Sequence, residues 1–592
     1  MSRPNSLVLF ARISKPQASL KVLGSWAKRP VPGAEVLSEL ITGASVGNVL
    51  DLSQPIDVAI ALGGDAKSPN PQIAVSAAVR SLDEAKAAFS EHHKLQPGDN
   101  GAVRILGLGD PEDERPCDLV PSAGASATRL ICGDGGAAIE ALEPWLARSA
   151  PRETFPQDLH VEVRLLPLRP VVRSFRGMLP MILTGMLDAR TGSAVVGQSI
   201  DALVGDVADL TSDMDQLTLD LSLSDAGADA TFTATFSGAT AVLSRLAVAH
   251  PERADVPPAA FWHLPGDADG AYYTRGIDAK ELAHPRELGQ SMLLAALDKQ
   301  GLPEADGKAL VSPVMRYLDL YTGPIVYAKG LDLPAIEKAK AAVDLAKDDA
   351  ARTAAERVLL EQLAGWSVVQ TGEPLAKVSQ IAKDFAGAVA RPSVVALRKK
   401  VGGAAGPGVK ITPLPRTAQL PTDTVHLEVL AWEEQHESPP TPLKKVAQAP
   451  LKPSVLHVIL LPDTGKSWIV LAASLDLAIA KARVVLPNAP EAGTLAKRGE
   501  IEMLRDSRAS SGGYVSARGL VAPSPLRYVI GSTKLPQGAL FSGLAATPAG
   551  GATAMTYALR AEPSGTGGVL RITGRAPRAA IEDVVKVVMK KW

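Results

Sequence analysis

The stretch VLDLSQPIDVAIAL, residues 49–62, has a counterpart later in the chain in YLDLYTGPIVYAKG, residues 317–330. LDLSQPI and LDLYTGPI align with one inserted residue. Each follows a predicted strand, SLVLFARI (6–13) in the first case and a strand ending at Arg275 in the second. A segment with apolar residues at helical spacing lies between the two strands in both places. The match predicts that one fold occurs twice in this chain.

Two further pairs of segments support an internal duplication. PQDLHVEV (156–163) and PTDTVHLEV (421–429) share H-x-E-V, and each lies about 110 residues after the first landmark. LTLDLSLSDAGADATFTATFSG (217–238) and MTYALRAEPSGTGGVLRITGRAP (555–577) alternate with period two around a turn, and a helical pattern follows each. This order predicts two repeats with a period of about 265 residues.

The alternation of single helices with antiparallel hairpins predicts an α+β fold. We expect two homologous halves, residues 1–255 and 256–592, each with a mixed or antiparallel sheet and helices packed on it. The second half is predicted to carry a helical insertion at about 334–402 and a Pro-rich surface loop at 436–453.

The composition excludes several classes of protein. Apolar residues make up 46% and charged residues 21% of the 592 residues, as in ordinary globular chains. The net charge is −1 and no basic stripe appears, so a nucleic-acid partner is not expected. Aromatic residues make up only 4%, which argues against a surface of aromatic side chains on which nucleic-acid bases or sugars stack. No apolar run is long enough to predict a transmembrane helix, and the first residues do not resemble a signal peptide.

The two cysteines lie in CDLVPSAGASATRLIC, residues 117–132. A hairpin around SAGAS places Cys117 directly opposite Cys132, with Leu119 facing Arg129 or Leu130. Directly opposed cysteines on adjacent strands can form a disulfide, which would indicate an oxidising compartment. The alternative is a pair of buried free thiols.

Two short motifs resemble functional signatures but favour structural interpretations. LLPDTGKSW (460–468) contains the end of a P-loop motif and an LPxTG pattern. The glycine that a P-loop needs is replaced by Leu460, and about 127 residues follow the motif, so a hairpin turn is predicted. GASVG (43–47) matches a nucleophile elbow, but a helical pattern precedes Ser45 where a strand is required. Ser45 is therefore predicted to be a loop serine.

The H-x-E pairs His160 with Glu162 and His426 with Glu428 are the candidate polar or metal-binding face. Residues two apart on a strand share one face, so an imidazole and a carboxylate would lie side by side. Zinc normally takes three or four ligands, and no further ligand motif lies nearby in the sequence. The pairs are interpreted as polar strand faces, with a metal site as the alternative, and no metal or cofactor is predicted.

Arg12 and Arg275 end equivalent predicted strands. They are interpreted as surface residues, with an anion site as the alternative.

The chain resembles large, uncharacterised envelope lipoproteins of myxobacteria-like genomes. The resemblance is carried by SLVLFARISKPQASL, CDLVPSAGASATRLICG, DLHVEV and FWHLPGDADGAYYTRG, and it spans most of the chain. It implies export and tethering through a lipidated N-terminal cysteine, which is not found near Met1. We therefore expect a periplasmic or outer-membrane-associated mature chain without its signal, with a cytoplasmic protein as the alternative. Any membrane contact is expected only through a missing lipid anchor.

These observations predict a non-enzymatic binding or scaffold protein of the bacterial envelope. Its partner would be a lipid, a peptide or another protein, held in a cleft between the repeats. One alternative is a hydrolase or metallopeptidase-like enzyme that uses the H-x-E strands. Another is a self-assembling structural protein.

Overall fold

The computed structural model divides into two compact units. Unit 1 comprises Met1–Met181, Val204–Pro251 and Leu559–Val585, and unit 2 comprises Ile182–Leu203, Glu252–Ala558 and Lys586–Trp592. The structure describes residues 2–28, 30–31, 33–43, 48–65, 68–107, 116–121, 127–175, 194–249, 255–277, 279–402, 408–415, 418–431, 454–522, 525, 550–564 and 567–589. The Pro-rich loop 436–453 and Ser45 lie outside the described residues.

Unit 1 is built on an antiparallel sheet. Its strands are β1 (Leu7–Ile13), β2 (Ile56–Asp65), β3 (Ser68–Ala78), β4 (Lys94–Pro97), β5 (Val103–Leu106), β6 (Cys117–Val120), β7 (Arg129–Gly133), β8 (Leu159–Arg164), β9 (Met214–Ser224), β10 (Gly227–Phe236) and β20 (Gly567–Pro577). They pair in the order β4-β5-β6-β7-β3-β2-β1-β8-β9-β10-β20.

Unit 2 contains a second antiparallel sheet. Its strands are β11 (Gly270–Thr274), β12 (Ile325–Gly330), β13 (Trp366–Thr371), β14 (Gly408–Ile411), β15 (Val425–Ala431), β16 (Ser454–Asp463), β17 (Lys466–Ala472) and β18 (Ser511–Ser516). They pair in the order β14-β15-β16-β17-β13-β12-β11-β18. The remaining strand, β19 (Ala554–Ser564), pairs with β20.

Helices connect the strands in both units. In the first part of the chain they are α1 (Pro16–Ala27), α2 (Ala34–Thr42), α3 (Leu82–Ser90), α4 (Gly136–Arg148), α5 (Arg169–Phe175), α6 (Ala194–Asp213) and α7 (Val242–Ala249). Those that follow are α8 (Ala259–Trp262), α9 (Ala283–Lys299), α10 (Glu304–Asp319), α11 (Leu333–Asp344), α12 (Asp349–Leu363), α13 (Leu375–Val389), α14 (Pro392–Gly402), α15 (Leu475–Val484), α16 (Ala517–Val521) and α17 (Arg578–Met589). In the described part of the chain, no helix combines the length and apolarity that crossing a membrane requires.

The two sheets repeat one strand order, as the predicted duplication requires. In unit 1 the order β4-β5-β6-β7-β3-β2-β1-β8 corresponds, strand for strand, to β14-β15-β16-β17-β13-β12-β11-β18 in unit 2. The α+β class and the antiparallel sheets are confirmed. The pairing of the H-x-E segments is wrong, because β8 corresponds to β18 and β15 corresponds to β5. The two segments resemble each other in sequence because both β8 and β15 are strands in which polar and apolar residues alternate.

The predicted helical insertion at 334–402 is only partly helical. Helices α11 and α12 do lie between β12 and β13, where unit 1 has the direct connection from β2 to β3. However, residues 366–371 form β13, which pairs with β12 and β17. All six of its residues are buried, so its sequence WSVVQT shows no alternation that would separate a strand from a helix. The added helices are therefore α11 and α12, together with one of the two helices, α13 and α14, that follow β13 where unit 1 has α3.

The compact units also divide the chain differently from the predicted halves. Leu559–Val585 belongs to unit 1, although it lies in the predicted second half, 256–592. The physical reason is backbone pairing: β20 aligns with β10 over ten residue pairs, from Gly227 opposite Pro577 to Phe236 opposite Gly568.

Two predicted hairpins are confirmed. Cys117 lies opposite Cys132 in β6 and β7, the two form a disulfide, and Leu119 faces Leu130. The core around this disulfide includes Phe89 of α3, which is fully buried. In the second hairpin, β16 and β17 close through a tight turn at TG between Asp463 and Lys466, which excludes the P-loop interpretation.

A buried cluster of charges crosses β1, β2 and β7. The Asp57 carboxylate accepts hydrogen bonds from Arg12 Nε at 2.6 Å and from Arg129 at 3.0 Å. All three side chains are at most 3% exposed. The prediction that Arg12 lies at the surface is therefore wrong. Arg275 is half-buried, 3.7 Å from the Asp255 carboxylate.

Candidate functional site

The first H-x-E pair is enclosed in an ion-pair network of unit 1. His160 and Glu162 lie on one face of β8, and the pair is buried. Asp220 of the neighbouring strand bonds His160 Nδ1 at 2.7 Å, and the His160 ring stacks on Phe155. Arg3 reaches Glu162 at 2.6 Å. The guanidinium group thus bonds Glu162 Oε2, the same carboxylate oxygen that lies 3.8 Å from His160 Nε2.

The charges of this network shift both pKa values. Burial would lower the pKa of His160, but the carboxylates of Glu162 and Asp220 outweigh it and raise that pKa. Burial would raise the pKa of Glu162, but the positive charges of His160 and Arg3 lower it to about 2. Because the partners of each group favour its charged form, we interpret the pair as a structural ion cluster.

The second H-x-E pair has a third member that the sequence did not indicate. His426 and Glu428 share one face of β15, and His457 of β16 lies directly opposite Glu428. His426 Nε2 is 3.2 Å from His457 Nδ1. One ligand atom from each of the three residues lies within 4.8 Å of the others. His426 is 3% exposed, and the other two are half-buried.

The two imidazoles of this cluster are held in their neutral forms. Burial lowers the pKa of His426, and burial and the neighbouring imidazole of His426 lower the pKa of His457. On its other side, His426 Nδ1 contacts the Thr412 hydroxyl at 2.8 Å. This contact fixes the orientation of the ring.

A cavity of about 510 Å³ in unit 2 is lined mainly by tyrosines. Six of the eight tyrosines of the chain contribute to it: Tyr272, Tyr317, Tyr321, Tyr327, Tyr514 and Tyr557. Its volume falls within the range of small-ligand sites, which is roughly 300–1,000 Å³. Lys329 is the charged residue among the lining.

The fold brings these tyrosines together from separate elements. Tyr272 of β11 lies opposite Tyr327 of β12, and their ring centroids are 5.1 Å apart. Tyr317, near the end of α10, is four residues before Tyr321, and their hydroxyls form a hydrogen bond of 2.7 Å. Tyr557 reaches the cavity from β19. Tyr317 lies in α10 and Tyr321 in the turn that follows it, and the bond between their hydroxyls shows that both side chains point the same way.

Tyr514 differs from the other five tyrosines. It is 2% exposed, its hydroxyl donates to the Ala268 carbonyl at 2.9 Å, and Arg498 donates to that hydroxyl at 2.7 Å. Its polar end is therefore committed to the core. Among the other five, the Tyr317 and Tyr321 hydroxyls bond to each other.

Gly513 of β18 makes room for Tyr272. A Cβ atom at this position would lie 2.2 Å from the Ala271 carbonyl oxygen and 2.6 Å from Tyr272 Cα. Real Cβ atoms do not approach backbone atoms this closely. Glycine is therefore required at position 513, where β18 lies against Ala271 and Tyr272 of β11.

The cavity holds its hydroxyl groups in their neutral form. Burial raises the pKa of Tyr272, Tyr317 and Tyr321, and it raises the pKa of Tyr557 to about 12. At neutral pH each hydroxyl can therefore both donate and accept a hydrogen bond.

The distribution of tyrosines along the sequence indicates this cavity, although the overall aromatic content of the chain does not. Every tyrosine of the chain lies between residues 272 and 557, and none lies in the first repeat. The low aromatic fraction argued against a stacking surface, but it averages over the whole chain. Comparing the two repeats for aromatic content would have indicated the second one.

Comparisons with known proteins give little further information. No family model matches this chain, and no curated protein matches it. One solved structure, titled "Structure of crystal form IV of TP0453", is similar over 40% of this chain and 81% of that chain. The sequence identity is 6% and the TM-score is 0.21, so the similarity carries no argument about fold or function.

Proposed function

We propose that this protein is a non-enzymatic binding protein of the bacterial cell envelope. Its binding site is the tyrosine-lined cavity of unit 2, and its ligand is a short peptide segment of a partner protein. The observation that carries the proposal is the gathering of six of the eight tyrosines at one cavity. This replaces the cleft between the repeats as the proposed site.

The chemistry of the lining favours a peptide over a lipid. Tyrosine rings cover apolar side chains, while their hydroxyls bond to backbone carbonyl and amide groups, which explains their enrichment in protein interfaces. They also lose little conformational entropy on binding, because the side chain has two rotatable angles. A peptide backbone can bond to the tyrosine hydroxyls of the lining, whereas a lipid tail offers them no hydrogen-bond partner. Lys329, whose ammonium group also donates to the Ala522 carbonyl at 3.1 Å, adds a positive charge to the lining that suits a carboxylate group of the peptide.

The proposed compartment is supported by the disulfide. Cys117 and Cys132 are bonded in unit 1, and stable disulfides are rare in the bacterial cytoplasm. The resemblance to envelope lipoproteins agrees with an oxidising location. We therefore propose a periplasmic or outer-membrane-associated protein.

Peptide selection on the full-length chain tests the proposal. A displayed library of random peptides is selected on the immobilised protein, and the affinity of the recovered peptides is measured by fluorescence anisotropy. We expect Tyr557→Ala to weaken binding about tenfold or more, since truncating an aromatic anchor typically costs more than 1 kcal/mol. Leu345→Ala is the matched control, because Leu345 is an apolar residue of unit 2 that is 78% exposed and outside the cavity lining.

Two results would contradict the proposal. The first is a recovery of peptides no greater than on a blank surface. The second is an equal affinity of the recovered peptides for the protein and the Tyr557→Ala variant. Phosphatidylglycerol vesicles are titrated in parallel. If Tyr557→Ala reduced vesicle binding and left peptide binding unchanged, the ligand would be a lipid and the peptide proposal would be wrong.

A further inference from the structure

We propose that His426, Glu428 and His457 form a three-ligand binding site for a zinc ion. This inference does not depend on the proposed peptide site, because no residue of the trio lines the tyrosine cavity. It assigns a role to the second H-x-E pair that the first pair does not share.

The sheet itself brings the three ligands together. His426 and Glu428 project from the same face of β15, since residues two apart on a strand share a face. Glu428 is in register with His457 of β16, so the two side chains start from adjacent backbone positions. Because strand pairing fixes all three, the ligands are organised before any ion binds.

The distances match the coordination geometry of zinc. Zn–N bonds of about 2.0–2.1 Å at a tetrahedral angle place two ligand nitrogens roughly 3.3 Å apart. His426 Nε2 and His457 Nδ1 are separated by 3.2 Å. All three ligand atoms lie within 4.8 Å of one another, and binding would draw the Glu428 carboxylate in to the roughly 3.3 Å that a tetrahedral ion requires.

Thr412 acts as a positioning residue for His426. Its hydroxyl lies 2.8 Å from His426 Nδ1, and its backbone N–H donates to the His426 carbonyl at 3.1 Å. When the hydroxyl accepts from Nδ1–H, the lone pair of the imidazole is on Nε2, which is the nitrogen that faces His457. Such outer contacts typically fix the ring orientation of zinc-bound histidines.

The donor set selects the class of metal. Two imidazole nitrogens and one carboxylate suit Zn²⁺ and similar transition metals, whereas Ca²⁺ and Mg²⁺ prefer oxygen ligands alone. Three protein ligands leave the fourth position of a tetrahedral ion for water or another group.

At the first H-x-E pair, the same two residue types are paired with charged side chains of the protein. There, Arg3 supplies the positive charge beside Glu162, and Asp220 bonds His160. At the first pair the third group, Asp220, is a carboxylate that lies opposite His160, whereas at the second pair it is the imidazole of His457, which lies opposite Glu428. Among the residues that the structure describes, this trio is the group of His, Cys, Asp and Glu with metal-ligand spacing.

Zinc titration of the full-length chain tests the site. The protein is stripped with a chelator, and its affinity for Zn²⁺ is measured by competition with a chromophoric chelator. We expect one equivalent of tightly bound zinc, and a loss of affinity greater than about tenfold in Glu428→Gln and in His457→Gln. Thr412→Val should weaken binding about 10- to 100-fold, which is typical for the loss of an outer contact. His92→Gln is the matched control, since His92 is an exposed histidine of unit 1.

The outcomes separate a metal site from a hydrogen-bonded cluster. Circular dichroism and thermal unfolding identify the variants that keep the native fold, and two ligand variants are made so that one misfolded protein does not decide the test. Binding of less than one equivalent of zinc by the parent protein would overturn the proposal. It would also be overturned if folded Glu428→Gln or His457→Gln bound zinc as tightly as the His92→Gln control.

Discussion

Replacing Asp57 with alanine would leave two buried guanidinium groups without the carboxylate they share. Asp57 is fully buried, and Arg12 and Arg129 are 1% and 3% exposed. Arg12 approaches the carboxylate with two nitrogens, at 2.6 and 2.9 Å, and Arg129 approaches with one at 3.0 Å. Burial lowers the pKa of Arg129, and the charge of Asp57 opposes that shift.

The expected loss of stability follows from the burial of these charges. Removing one partner of a buried ion pair typically costs about 3–5 kcal/mol, because the remaining charge is left without compensation. Asp57 serves two cations, so we expect a value at the upper end of that range or above it. For domains of 150–250 residues, each kcal/mol lowers the Tm by roughly 2–4 °C. The Tm of the unit 1 transition should therefore fall by about 10 °C or more.

Differential scanning calorimetry of the full-length chain measures this change. The matched control is Asp319→Ala, since Asp319 accepts two hydrogen bonds of 2.8 Å from Arg286, but the two side chains are 36% and 41% exposed. An exposed pair is worth at most about 1 kcal/mol, so the control should lose little stability. Asp57→Asn keeps the size of the side chain and removes the charge, and it should be nearly as destabilised as Asp57→Ala.

A comparison of the two alanine variants decides the question. If Asp57→Ala lowered the Tm no more than Asp319→Ala, the argument from buried charge would be refuted. If Asp57→Asn retained the stability of the parent protein, the hydrogen bonds would matter and the charge would not.

Three further changes have outcomes that the structure specifies. Reduction of the Cys117–Cys132 bond, or its replacement by two alanines, should lower the free energy of unfolding by about 3 kcal/mol, as expected for a loop of 15 residues, and an unchanged Tm in reductant would contradict this. Burial and a neighbouring carboxylate raise the pKa of Glu143 to about 7, so its folded state loses stability as the pH rises from 4.5 through 7. Glu143→Gln should then be more stable than the parent at pH 8, on the order of 1 kcal/mol after allowing for solvent screening, and equal to it near pH 4 in thermal unfolding. Gly513→Ala should lower stability by about 1–3 kcal/mol in chemical unfolding, since its Cβ would lie 2.2 Å from the Ala271 oxygen, and an unaffected variant would show that β18 can shift.

Features that depend on neighbouring residues could be predicted from the sequence. The opposition of Cys117 and Cys132 followed from one hairpin, because the length of a turn fixes the register of the strands it joins. The turn between Asp463 and Lys466 followed from its Asp and Gly residues in the same way. The repeated fold was also visible, since strands and helices recur in the same order.

Features that depend on distant residues could not be predicted. Tyr272 and Tyr557 meet at one cavity although 285 residues separate them in the sequence. His457 joined the candidate metal site only through the pairing of β15 with β16, and its own surroundings in the sequence, VLHVILL, read as a plain apolar strand. Arg12 looked like a surface residue because the carboxylate that compensates it lies on another strand.

The pairing of β20 with β10 has a consequence for the order in which the chain can fold during synthesis. A ribosome completes residues 227–236 long before it makes residues 567–577, so β10 must wait with one edge unpaired. Open strand edges readily pair with other chains, which makes this interval the period of greatest risk of misassembly. A growing chain of this protein would therefore benefit from a chaperone that covers the β10 edge until β20 has been made.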